Sequence, residues 1–345
     1  MTGPRLGFFT RLLDDAPAVV RYRNAIEQVV HAEALGFDTA WVAQHHFHRD
    51  EGGLPSPFVL LAQAAARTSS IVLATGIVTL PLEAPVRVAE DAAVLSLLAD
   101  GRFELGIGSG GTPSSFAPFG QDAARRPEIY AEHRAALLRA LRGEVLTADG
   151  GALYPSAPGL VDSLWEATFS SAGAARIGAA GSGLMLSRTQ PRRDYTGRGS
   201  AHDQTPIVDA HAAALPARVP ARVMASRSVL VVDDEAAARR WRARGIARSL
   251  PMLAAQGVPV PEGVSDTELA AYLDLHVGTP EQVLTTLSDD PVLPRANDIV
   301  FQPHPVDPPH AVVLRSLELL ARDVAPALGW SPTHPQQELA GRTTS

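Results

Sequence analysis

The chain of 345 residues contains no cysteine. Disulfide bonds, thiolate catalysis and cysteine-ligated metal sites are therefore excluded, and this absence is typical of a reducing compartment. The sequence also lacks a basic block. Its formal net charge is −7 and its pI is about 5.9, so we expect no nucleic-acid partner.

Long hydrophobic runs are missing as well. The apolar run at residues 6–9 ends at Arg11, far short of the hydrophobic region of a signal peptide. No later stretch reaches the ~18 apolar residues of a membrane span. We therefore expect a cytoplasmic protein with no membrane association.

The remaining composition is that of a globular protein, with 46% hydrophobic and 19% charged residues. A chain of this length is compatible with one large α/β domain. We predict a single domain over residues 1–324 and a frayed tail over residues 325–345.

In the first half, short apolar strands alternate with segments of helical periodicity. Gly36 is placed to end the first helix, and Pro57 to open the second. The predicted strands are residues 6–9, 37–43, 71–80 and 103–107, and the predicted helices are residues 22–35, 57–67, 84–98 and 128–141. This alternation predicts a parallel sheet with both faces covered.

The second half is less regular. The predicted strands are residues 164–169, 183–187, 223–232 and 298–302, and the predicted helices are residues 172–180, 209–215, 235–248, 279–287 and 309–324. Residues 188–206 are rich in proline, glycine and polar residues, which indicates an excursion loop that is either an ordered lid or disordered. The count of roughly eight strands predicts a (β/α)8 TIM barrel.

A TIM barrel gathers its functional groups at the carboxyl ends of its strands. After the fourth predicted strand, residues 106–111 match the dinucleotide pattern G-x-G-x-x-G, but no helix pattern follows them. A bulky planar ligand close to the backbone of Gly108, Ser109 and Gly110 is the preferred interpretation, and an ordinary glycine turn is the alternative.

Ser170 and Ser171 follow the fifth predicted strand and open a helix of small residues. Free amide groups and the helix dipole at such a position favour a phosphate. An ordinary serine N-cap fits the same pattern equally well.

Three histidines, His45, His46 and His48, follow the second predicted strand. They are compatible with metal ligands, although strand alternation sends neighbouring side chains to opposite faces. One of them could instead act as a neutral base or hydrogen-bond donor. The third possibility is that all three are ordinary polar residues at the barrel rim.

Most of the chain resembles the bacterial luciferase-like, flavin-dependent monooxygenases. The matching segments are residues 36–42, 45–47, 85–87, 90–91, 101–103, 106–108, 116 and 119–120, and more weakly 183–187 and 278–281. The resemblance implies a TIM barrel that uses reduced FMN, supplied by a separate reductase, and dioxygen to oxidise a small organic substrate. It also makes a homodimer a reasonable expectation.

The same resemblance assigns roles to individual residues. His45 matches the histidine proposed as catalytic base, with His46 beside it, and no metal is implied. The segment Thr75, Gly76 and Ile77, sometimes with a non-proline cis peptide, would pack against the flavin ring. The remaining expected cofactor contacts are Gln44, Gly108, Ser109, Gly110, Ser170, Ser171, Leu186, Ser187 and Arg188.

Three positions depart from the family. Gln44 stands where luciferases have glutamate, Ser109 where they have a phosphate-contacting arginine, and Phe169 where they have an acidic residue. Light emission is therefore not implied. Arg176 or Arg188 is the candidate replacement for the missing phosphate contact.

Glu90 and Asp91 form a carboxylate pair within a predicted outer helix, where a structural or subunit-interface role is preferred to catalysis. Two alternatives to the monooxygenase stay open: a deazaflavin-dependent oxidoreductase on the same fold, and a non-catalytic flavin-binding protein.

Overall fold

A computed structural model describes residues 3–192 and 194–332 of the protein. Its strands are β1 (Arg5–Thr10), β2 (Thr39–Val42), β3 (Val72–Thr75), β4 (Val78–Thr79), β5 (Phe103–Glu104), β6 (Gly106–Gly108), β7 (Trp165–Ala167), β8 (Gly183–Leu186), β9 (Val223–Val231), β10 (Leu275–Gly278) and β11 (Asp298–Gln302). All strand pairs within the described residues are parallel.

The pairing order curls the sheet on itself. It runs β4-β6-β7-β8-β9-β11-β1-β2-β3-β5, with β10 beside β9 off this path. β3 pairs with β5 through Leu73 and Phe103, and β4 pairs with β6 through Val78 and Ile107. The result is a curled parallel α/β sheet of TIM-like architecture.

Helices cover the outside of this sheet. They are α1 (Ala18–Ala34), α2 (Pro57–Ala65), α3 (Pro85–Leu98), α4 (Arg126–Leu141), α5 (Gly159–Asp162), α6 (Ser171–Ala179), α7 (Ser200–Ala214), α8 (Glu235–Ala255), α9 (Asp266–Tyr272), α10 (Pro280–Ser288) and α11 (His310–Leu319). None of the helices in the described residues is long and apolar enough to cross a bilayer.

The interior of the curled sheet is filled by side chains that point inward from several strands. Trp41 and Trp165 are almost completely buried and meet edge to face, with ring centroids 5.9 Å apart. Phe9, Met185 and Met224 belong to the same apolar cluster. This packed layer closes the interior beneath the carboxyl ends of the strands.

Two predicted strands are interrupted. Residues 71–80 were predicted as one strand, but they form β3 and β4, separated by a cis peptide bond between Gly76 and Ile77. Residues 103–107 likewise divide into β5 and β6. β-Branched composition predicts extended backbone, but it does not show where the ladder of hydrogen bonds shifts from one register to the next.

The predicted excursion over residues 188–206 is too long. Helix α7 begins at Ser200 and contains Pro206, and the predicted helix 209–215 is only its second half. The amide of Ser200 donates to Asp274 Oδ1 at 2.7 Å, and Gln204 is fully buried. The polar residues of this segment bond to distant parts of the fold, so the sequence lacks the apolar periodicity that predicts a helix.

The predicted start of the frayed tail, residue 325, lies too early in the chain. Trp330 is 3% exposed, its Nε1 donates to Asp38 Oδ2 at 2.8 Å, and its ring packs near Phe37. The chain from residue 325 to 330 therefore packs against the fold. The rest of the predicted tail, residues 333–345, lies outside the described residues.

Candidate active site

A cavity of about 850 Å³ opens at the carboxyl ends of the strands. Its size lies within the usual range for small-molecule sites. The predicted site residues that line it are Gln44, His45, His46, Gly76, Ile77, Gly108, Ser109, Gly110, Ser170, Leu186, Ser187 and Arg188. The cavity therefore unites segments that follow five different strands.

Two predicted contacts lie elsewhere. Thr75 is completely buried between strands, where its hydroxyl donates to Gly106 O at 2.8 Å and accepts from Gly106 N at 2.9 Å. Ser171 is exposed, and its hydroxyl faces Pro206 O at 3.4 Å. The structure therefore makes Thr75 a clamp between strands and takes Ser171 away from the cavity wall.

The floor of the cavity is apolar and closely packed. It includes Ala43, Ile77, Ala167, Met185 and Met224. The cis peptide bond at Gly76 lies in this floor. A Cβ atom on Gly76 would lie 2.5 Å from the Phe9 ring. The chain thus needs glycine here to fit its backbone against that ring.

The glycine loop after β6 borders the floor. A Cβ atom on Gly108 would lie 2.8 Å from Ile77 Cδ1, whereas one on Gly111 would meet no atom within 4 Å. Gly110 has a φ of +78°, which favours glycine. A 3₁₀ turn at Pro113–Ser115 follows, and the next α-helix starts only at Arg126. The dinucleotide-binding arrangement of loop and helix is not formed here.

His45 is held as a neutral ring. Its Nε2 lies 2.8 Å from Arg11 Nη2. Because a guanidinium only donates, Nε2 accepts and the proton of the neutral ring is on Nδ1. Nδ1 is buried without a partner among the described residues. Burial, followed by the charges of Arg11, His46 and Arg188, lowers the pKa of His45 to about 3.

The other two histidines differ in environment. The ring of His46 packs edge to face on Phe119, with centroids 4.8 Å apart, and its buried Nε2 has no partner within the described residues. Burial lowers the pKa of His46. His48 is exposed and bonds to Ser114 Oγ at 2.8 Å. No group of metal-ligating side chains is formed within residues 3–192 and 194–332.

Gln44 has both ends of its amide engaged inside the protein. Its Nε2 donates to Glu83 Oε1 at 2.6 Å and to Pro55 O at 3.1 Å, and its Oε1 accepts from Thr79 N at 2.7 Å. Burial raises the pKa of Glu83. The amide therefore links the end of β2 to β4 and the segment behind it.

One end of the cavity carries three guanidinium groups. Arg134 donates twice to the fully buried Glu166, at 2.8 and 2.7 Å, and Arg176 donates once to it at 2.9 Å. Burial alone would raise the pKa of Glu166, but the hydrogen bonds and charges of Arg134 and Arg176 outweigh it and lower the pKa to about 2. Tyr130 donates a further bond to this carboxylate at 2.7 Å.

Arg126 completes this group, which we call the arginine end: Arg126, Arg134 and Arg176. Arg126 Nη1 donates to Gly110 O at 2.9 Å, so it lies beside the loop that contains Ser109. Ser170 lies at the same end and is the N-cap of α6, with its hydroxyl accepting from Gly173 N at 3.1 Å. The Ser170 hydroxyl therefore makes the N-cap bond that one of the two sequence interpretations predicts.

The opposite end contains Arg11 and Arg188. Arg11 bonds to His45 and to Glu51 O, and Arg188 is 8% exposed. Burial lowers the pKa of Arg11 to about 10 and that of Arg188 to about 9. Five arginines thus line the cavity, and no aspartate or glutamate stands among its described lining residues. For a chain of net charge −7, this is a marked local excess of positive charge.

Reasoning from sequence missed Arg11, Arg126, Arg134 and Glu166. Arg11 follows β1, so the rule that functional groups follow strands would have found it. Arg126 and Arg134 lie on a helix that reaches the cavity from the side. Glu90 and Asp91 stay on the outer helix α3, where Arg87 pairs with them at 3.1 and 2.7 Å.

The chain is similar to known proteins in both sequence and fold. The family model described as luciferase-like monooxygenase matches residues 7–289. The 4-hydroxyprotoasukamycin monooxygenase of Streptomyces nodosus subsp. asukaensis is 36% identical over 132 residues, which cover 38% of this chain and 35% of that protein. The matched part thus spans about a third of that relative's length.

Many solved structures share the fold, and two of them illustrate the cofactors found on it. One is the oxygenating constituent of 3,6-diketocamphane monooxygenase from Pseudomonas putida in complex with FMN, with a TM-score of 0.72 and 19% identity, covering 94% of this chain and 99% of that one. The other is the coenzyme F420-dependent tetrahydromethanopterin reductase of Methanopyrus kandleri, with a TM-score of 0.68 and 16% identity, covering 95% and 100%. Since the family model spans most of the sequence, the chain belongs to the luciferase-like monooxygenase family.

Proposed function

We propose that the protein is an FMN-dependent monooxygenase that uses reduced flavin and dioxygen to oxidise a small organic substrate, on a barrel of eight strand–helix units. The observation that carries this proposal is the cavity of about 850 Å³, with an apolar floor and five arginines but no carboxylate in its described wall. Such a wall suits an anionic ligand with a large apolar surface. FMN has both properties.

The phosphate of FMN would lie at the arginine end. Arg126 donates to Gly110 O, and Arg176 donates to Glu166 with the Tyr130 hydroxyl beside it, so each guanidinium keeps further donors for a ligand. Guanidinium groups form strong charge-assisted bonds to phosphate. These residues would take the place of the family arginine that is replaced by Ser109, with Ser170 and its helix beside them. Among the two candidate replacements, Arg176 fits this place, whereas Arg188 lies at the opposite end.

The flavin ring would lie over the apolar floor formed around Gly76 and Ile77. Leu186 and Ser187 border it on one side and Gly108 on another. When bound, the reduced flavin supplies the electrons with which dioxygen is activated. The close-packed floor excludes water from the lower face of the ring.

His45 would act in this site as a neutral group. Its Nε2 is held by Arg11, and its conjugate acid is disfavoured by the surrounding positive charge. A base at this atom requires that Arg11 first move away. His46 keeps an unpartnered Nε2 at the cavity wall, so it is the better placed of the two to exchange a proton with a substrate.

The cofactor is tested by anaerobic titration of the purified protein with oxidised FMN, reduced FMN and coenzyme F420, followed by admission of dioxygen. We expect reduced FMN to bind most tightly and oxygen consumption to follow. Tight binding of coenzyme F420 alone would assign the protein to deazaflavin chemistry. Binding of FMN in both redox states without any reaction with oxygen would indicate a non-catalytic flavin carrier.

We also propose that the protein is a cytoplasmic homodimer and that a separate reductase supplies its reduced flavin. Each dioxygen molecule would then be reduced by two donors, the reduced flavin and the organic substrate. The dimer is supported by the exposed apolar side chains Val59 on α2 and Val94, Leu97 and Leu98 on α3. These two helices pack against each other, and exposed apolar patches mark interaction surfaces. Light scattering should give twice the chain mass for the wild type and a monomer for Leu97→Glu.

A further inference from the structure

Arg188 is a largely buried cation without a hydrogen-bond or ion-pair partner among the described residues. It follows β8, lines the cavity and is 8% exposed. Within residues 3–192 and 194–332 its guanidinium makes no hydrogen bond and no ion pair. Burying a charge without compensation is costly, so proteins retain such a group where a ligand completes it.

Two carboxylates act on Arg188 electrostatically, and each forms an ion pair with a different arginine. They are Asp307 and Asp274. Asp307 lies 2.9 Å from Arg248 and 3.0 Å from His304, although its Oδ2 accepts no hydrogen bond within the described residues. Asp274 lies 3.1 Å from Arg192 and accepts the amide of Ser200. Neither makes a hydrogen bond or an ion pair with Arg188 within the described residues.

Arg11 adds a second incompletely bonded cation on the same side. Its Nη2 is used by His45 and by Glu51 O, but its buried Nε has no partner among the described residues. The charge of Arg11 acts on Arg188 with the same sign and disfavours its charged form. Two like charges face one end of the cavity, and nothing negative in the described wall lies between them.

We propose that Arg188 and Arg11 bind the carboxylate of an organic acid, which makes carboxylic acids the substrate class of this enzyme. The inference rests on the proposed function, since it assigns the arginine end to the flavin phosphate and this opposite end to the substrate. A planar carboxylate matches the planar guanidinium fork and can take two bonds from it. His45, held by Arg11, then lies beside the bound acid.

The test uses pairs of small ligands that differ in charge and little in shape. Acetate is compared with acetamide, and benzoate with benzamide, by calorimetric titration into protein saturated with oxidised FMN. The expected result is that each acid binds at least about 10-fold more tightly than its amide. Arg188→Met, which keeps apolar bulk without charge, should remove this preference, and Arg188→Lys should keep part of it. Arg142→Met, at an exposed position on the end of α4, is the matched control and should keep the full preference.

Equal binding of acid and amide by the wild type, or an unchanged preference in Arg188→Met, would overturn the inference. A preference that is lost when reduced FMN replaces oxidised FMN would assign the two arginines to the reduced flavin ring and would also overturn it. Failure of the wild type to bind FMN would count against the proposed function alone, because the acid preference is then measured in flavin-free protein. Thermal unfolding of each variant verifies that it is folded.

Discussion

Replacing Glu166 by glutamine tests how the arginine end is built. The carboxylate is fully buried and accepts bonds from Tyr130, Arg134 and Arg176. Its pKa falls from 4.5 to about 2 in the folded protein. At about 1.4 kcal/mol per pKa unit, this shift corresponds to ~3 kcal/mol of stability at neutral pH. Breaking a buried ion pair typically costs ~3–5 kcal/mol, which agrees with that value.

Urea unfolding followed by tryptophan fluorescence measures the effect. We expect Glu166→Gln to lower the free energy of unfolding at pH 7 by about 3 kcal/mol. Because the folded pKa is depressed, the contribution of Glu166 is present above its unfolded pKa of 4.5 and is lost as pH falls from there toward 2. The difference between wild type and variant should therefore shrink in that interval.

Tyr130→Phe is the matched control. It removes one hydrogen bond to the same carboxylate but leaves both ion pairs, so we expect a loss of only about 1 kcal/mol. FMN binding should weaken in Glu166→Gln, because Arg134 and Arg176 lose the group that positions them, and should change little in Tyr130→Phe. A Glu166→Gln protein within about 1 kcal/mol of the wild type at pH 7 would refute this account of the arginine end.

Three further experiments test other parts of the structure. In Gly106→Ala the new Cβ would lie 2.0 Å from Thr75 O, so we expect a loss of at least about 2 kcal/mol in urea unfolding; wild-type stability would contradict the strand packing. Gln44→Glu places a second carboxylate against Glu83, so it should destabilise the protein more at neutral pH than at pH 5. Adding Glu83→Gln should restore the stability. Absence of this rescue would contradict the link between the two residues. The pKa of His45 is depressed from 6.5 to about 3, so the stability contributed by its neutral ring is lost as pH falls through that interval. Between pH 7 and 5, the free energy of unfolding should therefore fall by about 2 kcal/mol less in His45→Asn than in the wild type. Parallel pH profiles of the two proteins would contradict the buried neutral ring.

Most of the strands and the parallel α/β architecture were accessible from sequence, because apolar runs of β-branched residues alternate with amphipathic helices. The strand at residues 298–302 has the predicted bounds, and the helix Pro280–Ser288 differs from the predicted 279–287 by one residue at each end. The short strand β10 and helix α9 were not predicted. β10 is stabilised by pairing with β9, which is distant in sequence. Helix α9 begins with a capping box between Ser265 and Glu268, a local signal that could have identified it.

The electrostatic organisation of the cavity was much less accessible. His45 stands out as part of a histidine cluster, but its bond to Arg11 joins positions 34 residues apart. Arg126 and Arg134 resemble ordinary charges of an amphipathic helix until the fold turns them toward β6 and β7. Residue type and spacing identify which strand ends meet, whereas the sharing of one carboxylate among three donors depends on side-chain geometry that no local pattern encodes.

The central claim is that the arginine end holds the phosphate of a flavin whose ring lies on the apolar floor. The most direct measurement is the ratio of the affinities for reduced FMN and reduced riboflavin, which differ only by the phosphate, in the wild type and in the double variant Arg126→Ala/Arg176→Ala. The account predicts that the wild type binds FMN at least about 10-fold more tightly than riboflavin and that the double variant binds the two almost equally. Equal affinities in the wild type, or an unchanged ratio in the double variant, would contradict it.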